Sequence, residues 1–216
     1  MIFLNLKTYP RSLEKALFFV DVAGEVVEET GMRIVVCTPS IFLREAAERF
    51  SEVFAQHCDQ SEPGQHTGDL PAEGLKQIKV KGSILNHSEK KLQMDVVKKT
   101  IDRLYDNALE SLACAATVEE VDKIAHFAPT YIAVEPPELI GTGISVSTAK
   151  PEAITDSIKR IAHINDKILP LCGAGVSNKN DVKRALELGS HGVLLASAFV
   201  NATDPKEFLR ELVSVF

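Results

Sequence analysis

The sequence predicts an α/β protein built as a single (β/α)8 barrel over residues 1–216. Three observations lead there. Eight short apolar runs rich in Ile, Val and Leu lack strict alternation, as strands buried on both faces do. Segments with apolar residues at helical spacing separate them. No G-x-G-x-x-G follows the first run, so the open doubly wound sheet loses its usual dinucleotide fingerprint. Eight right-handed β-then-α units require a parallel sheet, and eight such strands can close on themselves.

The elements follow in order. Strands are expected at Ile2–Leu6, Ile34–Thr38, Val53–His57, Ser83–Asn86, Ser111–Cys114, Tyr131–Glu135, Ile168–Cys172 and Gly192–Ala196. Helices are expected at Ser12–Thr30, Phe42–Phe50, Ala72–Ile78, Lys90–Leu104, Val118–His126, Pro151–Ile164, Asn180–Leu188 and Pro205–Val215. Ser12 offers a cap for the first helix and Gly31 a stop. Thr117-x-x-Glu120 reads as a capping box, Pro151 suits a first turn, and Gly189 follows the seventh helix. The third helix is the weakest, with Lys79-Val80-Lys81 readable as loop.

Composition bounds the function. The chain has 216 residues, 45% hydrophobic and 25% charged, enough for one domain with a large core. A net charge of -6, with Lys and Arg interleaved among Asp and Glu, leaves no footprint for nucleic acid. No apolar run approaches the roughly 18 residues of a membrane span. Met1–Lys7 reads as a first strand and not as a signal peptide. Cys37, Cys58, Cys114 and Cys172 sit in apolar, strand-like runs without C-x-x-C spacing, as reduced buried thiols of a cytoplasmic protein do. No clustered His and Asp set suggests a metal or cofactor.

Polar residues collect where strands end, which is where barrels of this kind carry their chemistry. Asn5 and Lys7 end the first strand, Asn86-His87-Ser88-Glu89 the fourth, and Glu135-Pro136-Pro137-Glu138 the sixth. Gly173-Ala174-Gly175 and Ala196-Ser197 end the seventh and eighth. A carboxylate closing an apolar strand is partly desolvated, which makes it a stronger base. A histidine before a helix is disfavoured as a cation by the helix dipole. A lysine just past an apolar strand points into the mouth. Glycine-rich turns offer backbone N–H groups to phosphate.

Asn5-x-Lys7, His87-Ser88-Glu89, Glu135-Pro136 and Ile140-Gly141-Thr142-Gly143, in this order, resemble the triosephosphate isomerase family. Val134–Gly143 and Cys172–Gly175 are similar to its short archaeal branch, and the likeness spans nearly the whole chain. The resemblance implies a TIM barrel that interconverts dihydroxyacetone phosphate and D-glyceraldehyde 3-phosphate through an enediolate. It implies Glu135 as base, His87 as neutral electrophile and Lys7 as fixed positive charge; a glutamate paired with a neutral histidine is the pattern for which this family is the standing example. It assigns Asn5, Lys7, Ile140, Gly141, Gly175, Ala196 and Ser197 to substrate binding and sets Glu89 beside the lysine. It makes Pro136–Val146 a lid, and it needs no cofactor. In the family the loop corresponding to Gln65–Gly68 reaches into a neighbouring subunit, implying a homo-oligomer, dimer or tetramer. Glu138 stands where bacterial and eukaryotic relatives carry an aromatic residue, and Cys172–Gly175 lacks their tyrosine and serine, so the latch on a closed lid differs.

An aldolase of the same architecture would need a Schiff-base lysine inside a strand, and the strand interiors hold none. An epimerase would often need clustered metal ligands. A phosphate-binding module without catalysis would have no use for Glu135, His87 and Lys7 together.

Overall fold

A computed structural model describes residues 1–136 and 145–216. Eight parallel strands close into a barrel in chain order, β1 (Ile2–Asn5), β2 (Ile34–Thr38), β3 (Val53–Ala55), β4 (Gly82–Leu85), β5 (Glu110–Ala115), β6 (Tyr131–Val134), β7 (Leu169–Cys172) and β8 (Gly192–Leu195). Pairing of Ile2 with Val193 and of Leu4 with Leu195 joins the last strand to the first. The helices are α1 (Pro10–Thr30), α2 (Leu43–Arg49), α3 (Ala72–Gln77), α4 (Met94–Asp106), α5 (Val118–Ala125), α6 (Val146–Ala149), α7 (Pro151–Ile164), α8 (Lys179–Glu187), α9 (Ser197–Val200) and α10 (Pro205–Val213). None of the described helices is long and apolar enough to cross a membrane.

Two apolar layers explain why the strands do not alternate. Phe3, Val35, Phe54, Ile84, Leu112, Tyr131 and Leu171 form one cluster inside the barrel. Their neighbours Ile2, Leu4, Ile34, Val36, Val53 and Ile132 pack outward with the helices. Both strand faces are therefore buried. Inside, the Phe3 ring meets Phe54 edge-on at 5.4 Å and Tyr131 at 5.0 Å, arrangements that favour aromatic quadrupoles. Gly82 leaves the room Phe54 occupies, since a Cβ there would lie 2.6 Å from the ring. The Arg33 guanidinium binds Glu52, Glu110 and the Tyr131 hydroxyl.

Most strands at the mouth stop one or two residues before the sequence suggests. Leu6, His57, Glu135 and Ala196 fall beyond the last ladder pair, where the backbone turns out toward the mouth. Cys58 accordingly lies past β3 and not in a strand, although all four cysteines are free and buried. The first helix begins at Pro10, so Ser12 is no cap: it is buried inside the helix and its hydroxyl donates to the Leu6 carbonyl. Gly31 ends that helix in left-handed backbone (φ 69), and Pro151 opens α7, both as expected. Thr117 caps α5 by accepting from the Glu120 N–H, but Glu120 reaches back to the Ala116 N–H and not to Thr117.

The largest departure lies before α4, expected from Lys90. A three-residue 3-10 turn, Ser88–Lys90, comes first, Lys91 is extended, and α4 starts at Met94. Lys90–Gln93 has adequate helix propensity, but tertiary contacts claim it: the Leu92 N–H goes to the Asn86 side chain and the Lys91 ammonium to Glu120. Two short helices, α6 and α9, carry no strong periodic signal.

Candidate active site

Asn5, Lys7, His87, Glu135, Gly175, Ala196 and Ser197 line one cavity of roughly 290 Å3 at the carboxyl ends of the strands. Ile140 and Gly141, with residues 137–144 of the expected lid, lie outside the described residues.

Lys7 sits two residues past β1 in left-handed backbone (φ 47). Such a conformation in a lysine persists only when its neighbours impose it. Two groups do. The Asn5 side-chain carbonyl accepts the Lys7 N–H at 3.0 Å, and the Gln56 amide donates to the carbonyls of Lys7 (3.2 Å) and Cys37 (3.0 Å). The ammonium is thereby aimed across the mouth, where it meets Glu89 at 2.7 Å.

His87 does not stand at the N-terminus of α4, as the sequence suggested, because α4 begins seven residues later. It caps the short turn that follows it, its Nδ1 accepting the Glu89 N–H at 3.2 Å. A ring nitrogen that accepts carries no hydrogen, so the ring hydrogen sits on Nε2. That nitrogen lies 3.8 Å from Glu135 Oε2.

Glu135 follows β6, its N–H donating to the Ala115 carbonyl at 2.8 Å. Its carboxylate is 4% exposed, and Oε2 has no hydrogen-bond partner among the described residues. Burial pushes its pKa above the ordinary glutamate value, against the opposing pull of His87, the Cys114 thiol and Lys7. An unpartnered, desolvated carboxylate oxygen beside an imidazole N–H is able to take up a proton. The N–H of Gly173, past β7, donates to the Val134 carbonyl at 3.1 Å. A Cβ on this residue would stand 2.5 Å from Glu135 Cγ, so the base fits only against a glycine.

The far wall is built of backbone. Gly175 takes φ 70, a conformation glycine adopts without penalty. Ala196 precedes the short helix α9, and Ala196, Ser197 and Ala198 line the cavity. The first N–H groups of a helix have no partner within it, so this end offers donors to an anion. Ser177 also lines the wall, but its N–H and hydroxyl are both committed to the Asp181 carboxylate at 2.9 Å.

Sequence reasoning brought Lys7, His87 and Glu135 to one rim; it placed Asn86 and Gly173 at strand ends at the mouth without seeing their contacts, and gave no site role to Gln56 or Cys114. Gly173 carried a signal in its position directly after β7. The others act through contacts between strand ends that no local pattern announces. Among the described residues, no three His, Cys, Asp or Glu side chains come together as a metal would need. The arrangement suits proton abstraction next to the carbonyl of a small phosphorylated molecule: a buried carboxylate, an imidazole N–H donor, a fixed cation and a set of backbone donors for the anionic tail.

Comparison with known proteins agrees with that chemistry. The family model described as triosephosphate isomerase matches residues 1–214. The chain is 41% identical over 215 residues to a protein named triosephosphate isomerase from Methanocaldococcus jannaschii, covering 99% of this chain and 98% of that one. It is 42% identical over 216 residues to a protein of the same name from Methanothermus fervidus, covering 99% and 97%.

Proposed function

The chain belongs to the triosephosphate isomerase family and interconverts dihydroxyacetone phosphate and D-glyceraldehyde 3-phosphate, and from that premise we propose how its residues divide the reaction. Glu135 removes a proton from the substrate carbon next to the carbonyl. The electron pair moves to the carbonyl oxygen and gives an enediolate. His87 passes its Nε2 proton to that oxygen and recovers one from the neighbouring hydroxyl as its carbon becomes the carbonyl, while Lys7 supplies fixed positive charge beside them. Glu135 then returns the proton to the neighbouring carbon. Asn5 orients a substrate oxygen through its Nδ2, since its Oδ1 already accepts from Lys7. Backbone N–H groups at Gly175, Ala196 and Ser197 receive the phosphate, and the family resemblance adds one at Ile140 or Gly141.

One observation carries this reading: a carboxylate 4% exposed, with a free Oε2 3.8 Å from an imidazole nitrogen that bears the ring hydrogen. A coupled assay on purified protein with glyceraldehyde 3-phosphate tests it. Turnover that collapses in Glu135→Gln and in His87→Gln supports the division of roles; unchanged turnover in either contradicts it.

We also infer one catalytic domain over residues 1–216, a cytoplasmic location and a homo-oligomer, dimer or tetramer. Support for self-association comes from a second cavity of roughly 580 Å3 that abuts Lys7, His87 and Glu89. It is bordered by Leu13, 44% exposed, and Ile41, 75% exposed, apolar surface that a second copy would cover. Sedimentation reports the assembly directly; a monomer at enzyme concentrations that retain full activity would contradict it.

A further inference from the structure

His87 follows Asn86, a fully buried residue in left-handed backbone (φ 56). A side chain in that conformation costs energy unless its surroundings hold it, and here they hold nearly every polar atom. The Asn86 amide nitrogen donates to the Cys114 carbonyl at the end of β5 and to Glu120 Oε1 on the first turn of α5, both at 2.9 Å. Its Oδ1 accepts the Leu92 N–H at 3.0 Å. Both amide hydrogens and the carbonyl are thus in use.

Glu120 is fixed in turn. Its Oε2 accepts the Ala116 N–H at 2.6 Å, and the Lys91 ammonium lies 2.7 and 2.8 Å from its two oxygens. Burial works against the ionised form of Glu120, but the hydrogen bonds from Lys91, Ala116 and Asn86 outweigh it and hold its pKa below the usual glutamate value. The result is a closed ring of contacts joining the end of β4, the end of β5 and the start of α5. One side of the ring carries His87. The other carries Cys114, whose thiol pulls the Glu135 pKa down against the effect of burial.

We infer that Asn86 and Glu120 are positioning residues for the reaction: together they clamp the turn after β4 so that the His87 Nε2 hydrogen faces the substrate. The inference rests on the proposed role of His87 as electrophile. The same network engages the Leu92 N–H and the Lys91 side chain just ahead of α4. A clamp of this kind acts on rate more than on binding, since about 1 Å of misplacement can cost on the order of a hundredfold in turnover.

Steady-state kinetics with glyceraldehyde 3-phosphate test the clamp, using Asn86→Gly, Glu120→Ala and Glu120→Gln, with Asn86→Gly repeated in a His87→Gln background. Glycine keeps the left-handed turn and deletes only the side chain. Asn86→Gly is expected to lower kcat roughly 10- to 100-fold with KM within about twofold. Glu120→Gln should recover part of the loss in Glu120→Ala, because its amide oxygen still accepts from Asn86 while its NH2 group faces the Ala116 N–H; this pair stays informative if Asn86→Gly folds poorly. In the His87→Gln background the Asn86→Gly effect should shrink to about twofold or less. Wild-type kcat in Asn86→Gly would overturn the inference, as would an undiminished effect in the His87→Gln background, and neither touches the role of His87. Wild-type kcat in the His87→Gln single variant would overturn that role and the inference with it.

Discussion

The rim formed by β1, β4 and β6 and the rim formed by β7 and β8 face each other across one small cavity, yet they are made of different atoms. The first presents side chains, each forced into place: Lys7 through a left-handed turn held by Asn5 and Gln56, His87 through the Asn86–Glu120 clamp, Glu135 through burial against Gly173. The second presents backbone at Gly175 and at the start of α9, with Ser177 locked to Asp181. The contrast follows the chemistry. A proton must be moved by a group whose ionisation is tuned, and only a side chain has one. A phosphate dianion needs several donors at fixed spacing, which backbone N–H groups provide without a rotamer to order. Variants of the first rim should therefore act on kcat, and variants of the second on KM.

Glu135→Gln is expected to give the largest effect, lowering kcat by about 10²- to 10⁴-fold while KM stays within roughly threefold. An equal rise in KM would place Glu135 among the binding groups and erase the contrast. The same residue sets the pH behaviour. Its folded pKa is raised, so the acid limb of the wild-type kcat/KM profile should lie above the ordinary glutamate range. By linkage, a raised carboxyl pKa favours the fold below its unfolded value, and that advantage is lost as pH rises through the folded one. Glu135→Gln should therefore raise the thermal midpoint at pH 7, and the gain should fade as pH falls from the folded pKa toward the unfolded glutamate value, where it vanishes. A midpoint difference that grows in acid would contradict the desolvation argument.

Gly173→Ala comes next. The added methyl would push directly on Glu135 Cγ, so kcat should fall roughly 10- to 100-fold without a matching change in phosphate affinity. Gly175→Ala sits on the other rim, where φ 70 costs a side chain about 1 kcal/mol. KM and the inhibition constant of inorganic phosphate should rise together by roughly fivefold, with kcat nearly unchanged. Ser197→Ala should do least: if the phosphate is held by backbone, removing the hydroxyl leaves KM within about twofold. A tenfold rise there would mean that the second rim also works through side chains.

These differences track what could be seen in the sequence. Gly31, Pro151 and Thr117 announced helix ends because their signals are local, fixed by φ or by a cap. Glu135, His87 and Lys7 stood out because polar residues directly after apolar strands are unusual, and barrel closure brings such positions together. Ser12 misled because its hydroxyl found a buried carbonyl instead of a helix start. The Lys90–Gln93 stretch misled for a related reason: its helical propensity lost to Asn86 and Glu120, which are brought there by other strands and helices. Gln56 and Cys114 were illegible, and Asn86 was legible only as a polar strand end, because their contacts are with carbonyls and carboxylates that are distant in sequence. Local rules recover the scaffold and the polar groups gathered at its mouth, and tertiary contacts decide how those groups are aimed.

The most direct test of a single base at Glu135 is to follow dihydroxyacetone phosphate in deuterium oxide. Wild-type protein should place solvent deuterium on the hydroxyl-bearing carbon next to the carbonyl, and Glu135→Gln should lose exchange and isomerisation in the same proportion. Exchange that persists at the wild-type rate in Glu135→Gln would show that another group takes the proton, and the account of the first rim would fail.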